Sequence, residues 1–199
     1  MIGAHFTLMT PLDFFTAGRV PPEDFSPEEQ GWAQRGLHFF HAESGYFALQ
    51  STRPQTPAFA LNDLPIGLCS WIVEKRRAWS DCGGDVERRF TKDDLLTTVM
   101  IYSMTQSFGT SAHYYYEAAH RPWQPSHQRM PVVEAPTGVA AFLNEVVLQP
   151  RRWAEKYYNL KRWSVSPSGG HFAPMEEPEA LIADIREFFR PLRGSRQRT

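Results

Sequence analysis

Only two of the 199 residues are cysteines, Cys69 and Cys82, and they form no CxxC pair. This excludes a thiolate zinc site and a dithiol redox motif, and nothing calls for an oxidising compartment. No apolar run approaches the roughly 20 residues needed to span a bilayer. The start, "MIGAHFTLMTPLDFF", lacks the basic flank of a signal peptide. A net charge of −1 argues against a protein built to grip nucleic acid or an anionic membrane. There is no G-x-S-x-G turn, no P-loop and no G-x-G-x-x-G fingerprint. The chain therefore reads as a soluble, cytoplasmic protein with no cofactor, no metal, and no nucleic-acid or membrane partner. The basic end "RPLRGSRQRT", with Arg190, Arg193, Arg196 and Arg198, reads as a solvated tail.

What is present suffices for a core: 42% of the residues are hydrophobic and 14% aromatic. The length fits one domain, or one domain with a substantial insertion. "IGAHFTL" has strand character and ends at Pro11, and "FTAGRVPPEDF" is a loop punctuated by Gly18 and Pro21–Pro22. Ser26, Pro27 and Glu29 in "SPEE" form a capping-box signature, which predicts a helix through about His41. Further helices are expected from Thr56–Pro57, over "LPIGLCSWIVEKRRAW" with Glu74, Lys75 and Arg76 facing out, from the N-cap Thr91, and over "SAHYYYEAA". Cys69, inside the apolar run of the second of these, reads as a buried thiol.

The pattern then changes. "MPVVEAPTGVAAFL" is β-branched and apolar, though broken by Pro136 and Gly138. A helix over "PRRWAEKYY", a short strand "WSVS" and a helix over "EPEALIADIREFF" follow, the last with Leu181, Ile185 and Phe188 or Phe189 on one face. Strand, long helical insert, strand, helix, strand, helix is an α/β order: one end of a parallel sheet carrying a helical insertion. Three parallel strands make a poor sheet alone.

His171 follows Gly169-Gly170 directly after the last expected strand, and Glu145 lies in the loop after the strand before it. Parallel neighbours carry these loops on one sheet edge, where reactive groups of open α/β sheets gather. A histidine base needs such a carboxylate to set its tautomer. The plainer alternative is a turn histidine and a solvated acid. Tyr46 follows Gly45, while Tyr114, Tyr115 and Tyr116 are consecutive; with about 100° between helical neighbours, they cannot all face one pocket. Aromatic packing explains such a run equally well. His38, His41 and Glu43 lack the further ligands a zinc site needs, and Asp85 after Gly83-Gly84 has no strand before it and reads as a loop residue.

The stretch from "GYFALQSTRPQTPAFALNDLPIGLCSWIVEKRRAW" to "TKDDLLTTVMIYSM" resembles the cap of epoxide hydrolases of the microsomal type. "APTGVAAFLNE", "PRRWAEKYYN" and "SGGHFAPMEEPEALIADIREFFRPL" resemble the end of that family's α/β-hydrolase domain. The resemblance implies the last three parallel strands of that fold (a first strand within 1–12, the remainder within 129–192), a helical cap over 13–128 and a basic tail from 193. It also implies a reaction. An aspartate opens a small apolar epoxide to an alkyl-enzyme ester while two tyrosines protonate the oxygen, and a His–acid pair then activates water to release a vicinal diol. Carried over by position, the base is His171, the acid Glu145 and the phenols Tyr46 and Tyr115, with Tyr116 as the neighbour if the helix register shifts by one. The family's nucleophile turn, typically "GGDWG", has no counterpart in these residues. The expectation is therefore the family's C-terminal half, inactive alone unless an N-terminal half is supplied, on the same polypeptide or as a separate chain. Leu143 replaces a usual proline before the acid, and Pro174 replaces a small residue after "GGHF". A non-catalytic remnant that binds apolar molecules, and another α/β hydrolase such as a dehalogenase or esterase, stay open at this point.

Overall fold

A computed structural model describes residues 2–8, 20–121 and 123–194. The β-branched, apolar segments form three parallel strands in the spatial order β1-β2-β3: β1 Ala4–Phe6, β2 Val133–Phe142 and β3 Tyr158–Ser166. Parallel neighbours require crossovers. The first spans the helical part between β1 and β2; the second is α7 (Arg151–Tyr157). Side chains alternate across β2, as a period of two demands. Val139 packs with Ala154 and Tyr158 beneath α7. Ala140 and Phe142 point the other way, onto Ala173 and Leu181 from α8 (Ala173–Glu176) and α9 (Pro178–Gly194). Both faces of the central strand are thereby covered.

The strands differ in length from the expectation. β2 runs through Pro136 and Gly138 by shifting register at two points. A Cβ on Gly138 would lie 2.9 Å from both the His5 and Phe188 rings, so only glycine allows this approach. β3 begins at Tyr158 instead of Trp163, because pairing to the long β2 and the burial of Tyr158 and Leu160 extend it.

The insert is helical: α1 Gln30–His38, α2 Gly45–Thr52, α3 Gln55–Asp63, α4 Pro65–Trp79, α5 Lys92–Thr105 and α6 Phe108–His120. Leu68, Val99, Phe108 and Ala112 form its core. Thr91 caps α5 through a reciprocal box with Asp94. The expected box also forms at the start of the insert, between Ser26 and Glu29: the Glu29 carboxylate accepts the Ser26 N–H at 3.0 Å, and the Ser26 side chain faces the Glu29 N–H. The helix expected to end near His41 changes instead to a π turn over Phe39–Glu43. That wider turn buries Phe39.

Two readings of α4 are corrected. Lys75 and Arg76 do not face out: both line a cavity, drawn in by aromatic rings, with the Arg76 guanidinium 4.0 Å from the Phe172 ring centroid. Only Glu74 is exposed. Of the thiols, Cys82 is buried, held by the carbonyl of Arg77, and Cys69 is half-buried. The loop signals at Pro11 and Gly18 and the residues after Gly194 lie outside the described residues, and α9 carries the chain through Arg193. Among the described residues no helix is long and apolar enough to cross a membrane.

Candidate active site

The turn after β3 brings backbone against backbone, and its two glycines make this possible. Gly169 has φ +95°, and a Cβ there would lie 2.7 Å from the Phe142 ring; a Cβ on Gly170 would lie 2.7 Å from the Trp79 carbonyl. His171 comes next, and its backbone N–H donates to the Trp79 carbonyl at 3.0 Å. The buried carboxylate of Glu176 fastens the turn from below. Its Oε2 accepts the N–H groups of Gly170 (3.0 Å) and Asp81 (2.7 Å), and its Oε1 accepts that of Phe172 (2.9 Å). Asp81 in turn accepts the Gly169 N–H, and Arg89 ties Asp81 to Glu177. Pro174 sits in the first turn of α8 and disturbs none of this.

Glu145 lies three residues beyond β2. The Asn144 N–H donates to the Gly169 carbonyl at 3.0 Å, drawing the acid loop to the histidine turn. Arg35 of α1 steadies the loop from the opposite side by donating to the carbonyls of Leu143 and Glu145. Leu143 therefore leaves the acid within reach: Glu145 Oε1 is 2.9 Å from His171 Nδ1. The carboxylate also accepts the Val146 N–H at 2.8 Å and is 3% exposed. A carboxylate on Nδ1 calls for the N–H at that atom and leaves Nε2 with the lone pair of a base. The ring is part-exposed and flanked by Trp79 and Phe172, at centroid distances of 5.3 and 5.1 Å.

Tyr46 in the first turn of α2 and Tyr115 on α6 meet edge to face, with ring centroids 5.8 Å apart. They line one cavity of about 290 Å³ together with Gln50, Trp71, Lys75, Trp79 and Phe172. Burial pushes the pKa of Tyr46 far above the ordinary phenol value, helped by its neighbour Tyr115. Burial also raises Tyr115, with Tyr102 and Tyr114 adding to the effect. Both therefore remain protonated hydrogen-bond donors at neutral pH. Tyr114 is exposed, and Tyr116 stacks on His120 at 4.0 Å instead of joining this pair.

Trp79 joins the two groups. Its indole contacts Tyr46 (5.1 Å) on one side and His171 on the other, and its Nε1–H donates to Glu43 at 3.3 Å. Lys75 completes this corner, 3.6 Å from Glu43 and 5.3 Å from the indole centroid. A second, apolar cavity of about 240 Å³ adjoins the acid loop, between Phe25, Trp32, Leu37 and Phe40 and the segment Val147–Leu148. The sequence alone gives Trp79, Glu43, Asp81 and Glu176 no place at the site, because the groups that Trp79, Glu43 and Asp81 meet are distant in sequence and nothing local marks an acid in a short helix such as Glu176 as buried. His38 and His41 are exposed, Asp85 caps a short turn through the Glu87 N–H, and no metal-binding group is found among the described residues.

No family model matches the chain. A putative epoxide hydrolase of Stigmatella aurantiaca is 39% identical over 177 residues, covering 88% of this chain and 39% of that protein. Epoxide hydrolase 1 of Sus scrofa is 41% identical over 153 residues, covering 73% of this chain and 34% of that protein. Among solved structures, juvenile hormone epoxide hydrolase from the silkworm Bombyx mori superposes with a TM-score of 0.77 at 28% identity, over 99% of this chain and 50% of that one. The chain thus spans between about a third and a half of the length of the relatives it matches. Sequence likeness over most of these residues and a shared α/β-hydrolase backbone lead to one conclusion: the chain belongs to the epoxide hydrolases.

Proposed function

We propose that this chain carries the oxygen-protonating and water-activating machinery of an epoxide hydrolase acting on a small apolar epoxide. The observation that carries the reading is the 2.9 Å contact between Glu145 and His171, beside a cavity lined by two half-buried phenols. In the first step a carboxylate attacks an oxirane carbon, the C–O bond breaks, and the oxygen leaves as an alkoxide unless a proton arrives. Tyr46 and Tyr115 hold that oxygen by hydrogen bonds, and one of them supplies the proton. Their raised pKa values keep the protons in place until the oxygen becomes basic. In the second step His171 Nε2 takes a proton from water, the hydroxide adds to the ester carbonyl, and the diol oxygen departs with the proton that the imidazolium returns; the carboxylic acid left behind gives its proton back to the tyrosine, restoring the carboxylate. Glu145 stabilises the imidazolium formed on the way. The aromatic walls suit an apolar substituent. Two phenols directed at a leaving oxygen favour epoxide opening over ester cleavage, which needs no such pair.

The attacking carboxylate is assigned to a segment outside these 199 residues, on the same polypeptide or a separate chain. Losing one member of such a triad costs about 10⁴-fold or more. The test is a mass-spectrometric assay for diol. The chain alone is expected to give none above buffer. Joined to a nucleophile-bearing segment of the family, it is expected to turn over, with His171→Gln accumulating the ester and Tyr46→Phe slowing its formation. Ester that hydrolyses at an unchanged rate in His171→Gln would remove the histidine from its role.

A further inference from the structure

Tyr46 and Gln50 stand four residues apart on α2, so they project from one helix face about one turn, ~5.4 Å, apart. Both line the same cavity. Gln50 is 3% exposed, as deeply buried as Glu145. Unlike Glu145, it has no partner: among the described residues, no hydrogen bond to its side-chain amide is found. The amide is not sealed off by protein atoms either. Among the described residues, the polar side-chain atoms both occluded and unpartnered belong to Asn62, Ser80, His127 and Gln149. The Gln50 amide therefore opens on the cavity. A buried amide without a partner opposes folding, and a site built around one favours ligands that pair with it and rejects those that cannot.

The charged groups of the wall do not fill this role. Lys75 is engaged by Glu43 and Glu74, and the Arg76 guanidinium lies over Phe172. Most of the remaining lining is aromatic, Trp71, Tyr102 and Phe108 included. We infer that Gln50 is a specificity-determining residue, selecting epoxides whose apolar substituent carries a neutral hydrogen-bonding group such as an amide, ester or hydroxyl. Its N–H₂ serves a carbonyl acceptor and its C=O a hydroxyl or N–H donor, whereas a neutral side chain offers nothing to compensate a ligand charge in this pocket. The inference rests on reading Tyr46 and Tyr115 as the holders of the epoxide oxygen, which sets the polar group beside the reacting ring.

Binding tests it without turnover. The full chain is titrated with phenyloxirane and with its para-acetamido derivative, followed by the fluorescence of Trp71 and Trp79 in the cavity wall. The amide-bearing epoxide is expected to bind about tenfold more tightly, the worth of one buried hydrogen bond. Gln50→Met is expected to abolish that preference while binding phenyloxirane at least as well as before. Gln50→Asn, which keeps an amide one methylene further back, is expected to reduce the preference and serves as the test if the methionine variant does not melt cooperatively. Equal ratios in the wild type and the variants, or no binding of either probe to the wild type, would overturn the assignment. Selective binding that leads to no diol once a nucleophile-bearing segment is supplied would defeat the hydrolase reading and leave the Gln50 assignment standing.

Discussion

Glu176 accepts the backbone N–H of Gly170 at 3.0 Å, directly beneath the turn that presents His171. The same carboxylate holds the N–H groups of Asp81 and Phe172, so one buried acid links the histidine turn, the end of α4 and the start of α8. Replacing it by alanine leaves three backbone donors without their acceptor. Glu176→Ala is expected to destabilise the chain by about 1–3 kcal/mol in denaturant unfolding. It should also speed hydrogen exchange at Gly170 and Phe172 far more than at β2. Uniform exchange rates across the variant would show that the turn is held by other contacts.

Trp79 packs against Phe39, Tyr46 and His171 and is anchored to Glu43. Truncation to alanine is expected to cost about 3–5 kcal/mol, as for large aromatics removed from a core. Trp79→Phe should cost distinctly less, because it keeps the ring contacts and loses only the Nε1 hydrogen bond and part of the volume. Urea midpoints at unchanged slope measure both. Equal costs for the two variants would assign the stability to the indole N–H alone.

On α9, Asp184 receives hydrogen bonds from His5 at 2.7 Å and Arg162 at 2.8 Å. Burial works to raise its pKa, but the hydrogen bonds from Arg162 and His5 and the guanidinium charge outweigh it and hold the group below its ordinary 3.8. A carboxylate lowered in the folded state adds stability above the unfolded value, and that stability is lost as pH falls through the folded value. Asp184→Asn is therefore expected to be less stable at pH 7 and to show a shallower loss of stability below about pH 4. Parallel acid limbs for the two proteins would contradict it.

Tyr46 gives the opposite limb. Burial, aided by Tyr115, raises its pKa in the fold, so its contribution is complete below the unfolded phenol value and declines as pH rises beyond it. Tyr46→Phe is expected to lose less stability than the wild type between neutral pH and pH 11, read by melting temperature. Tyrosinate absorbance should show the same group ionising above the usual phenol range of about 10. A variant as alkali-sensitive as the parent would place the phenol in a wetter setting.

Much of the local structure was legible because it depends on neighbours in sequence. The Thr91 cap and the Ser26–Glu29 box act within one turn, and their residue types announce them. Element ends were less legible. β3 extends to Tyr158 because of its partner β2, and the π turn at Phe39–Glu43 accommodates Trp79, which is distant in sequence. Lys75 and Arg76 read as surface cations, yet aromatic rings arriving from α2 and the turn before α8 draw them inward.

By itself the sequence determined the order of strands and helices, the paired glycines before His171 and the presence of an acid after the preceding strand, since these follow from periodicity, turn chemistry and residue type. Only the tertiary structure decided that the acid's oxygen lies 2.9 Å from the imidazole, that Tyr115 and not Tyr116 meets Tyr46, and that Gln50 is buried with no hydrogen-bond partner for its amide among the described residues. The reason is physical: distance, burial and pairing are set by what other segments bring to the same place, and no local pattern encodes them.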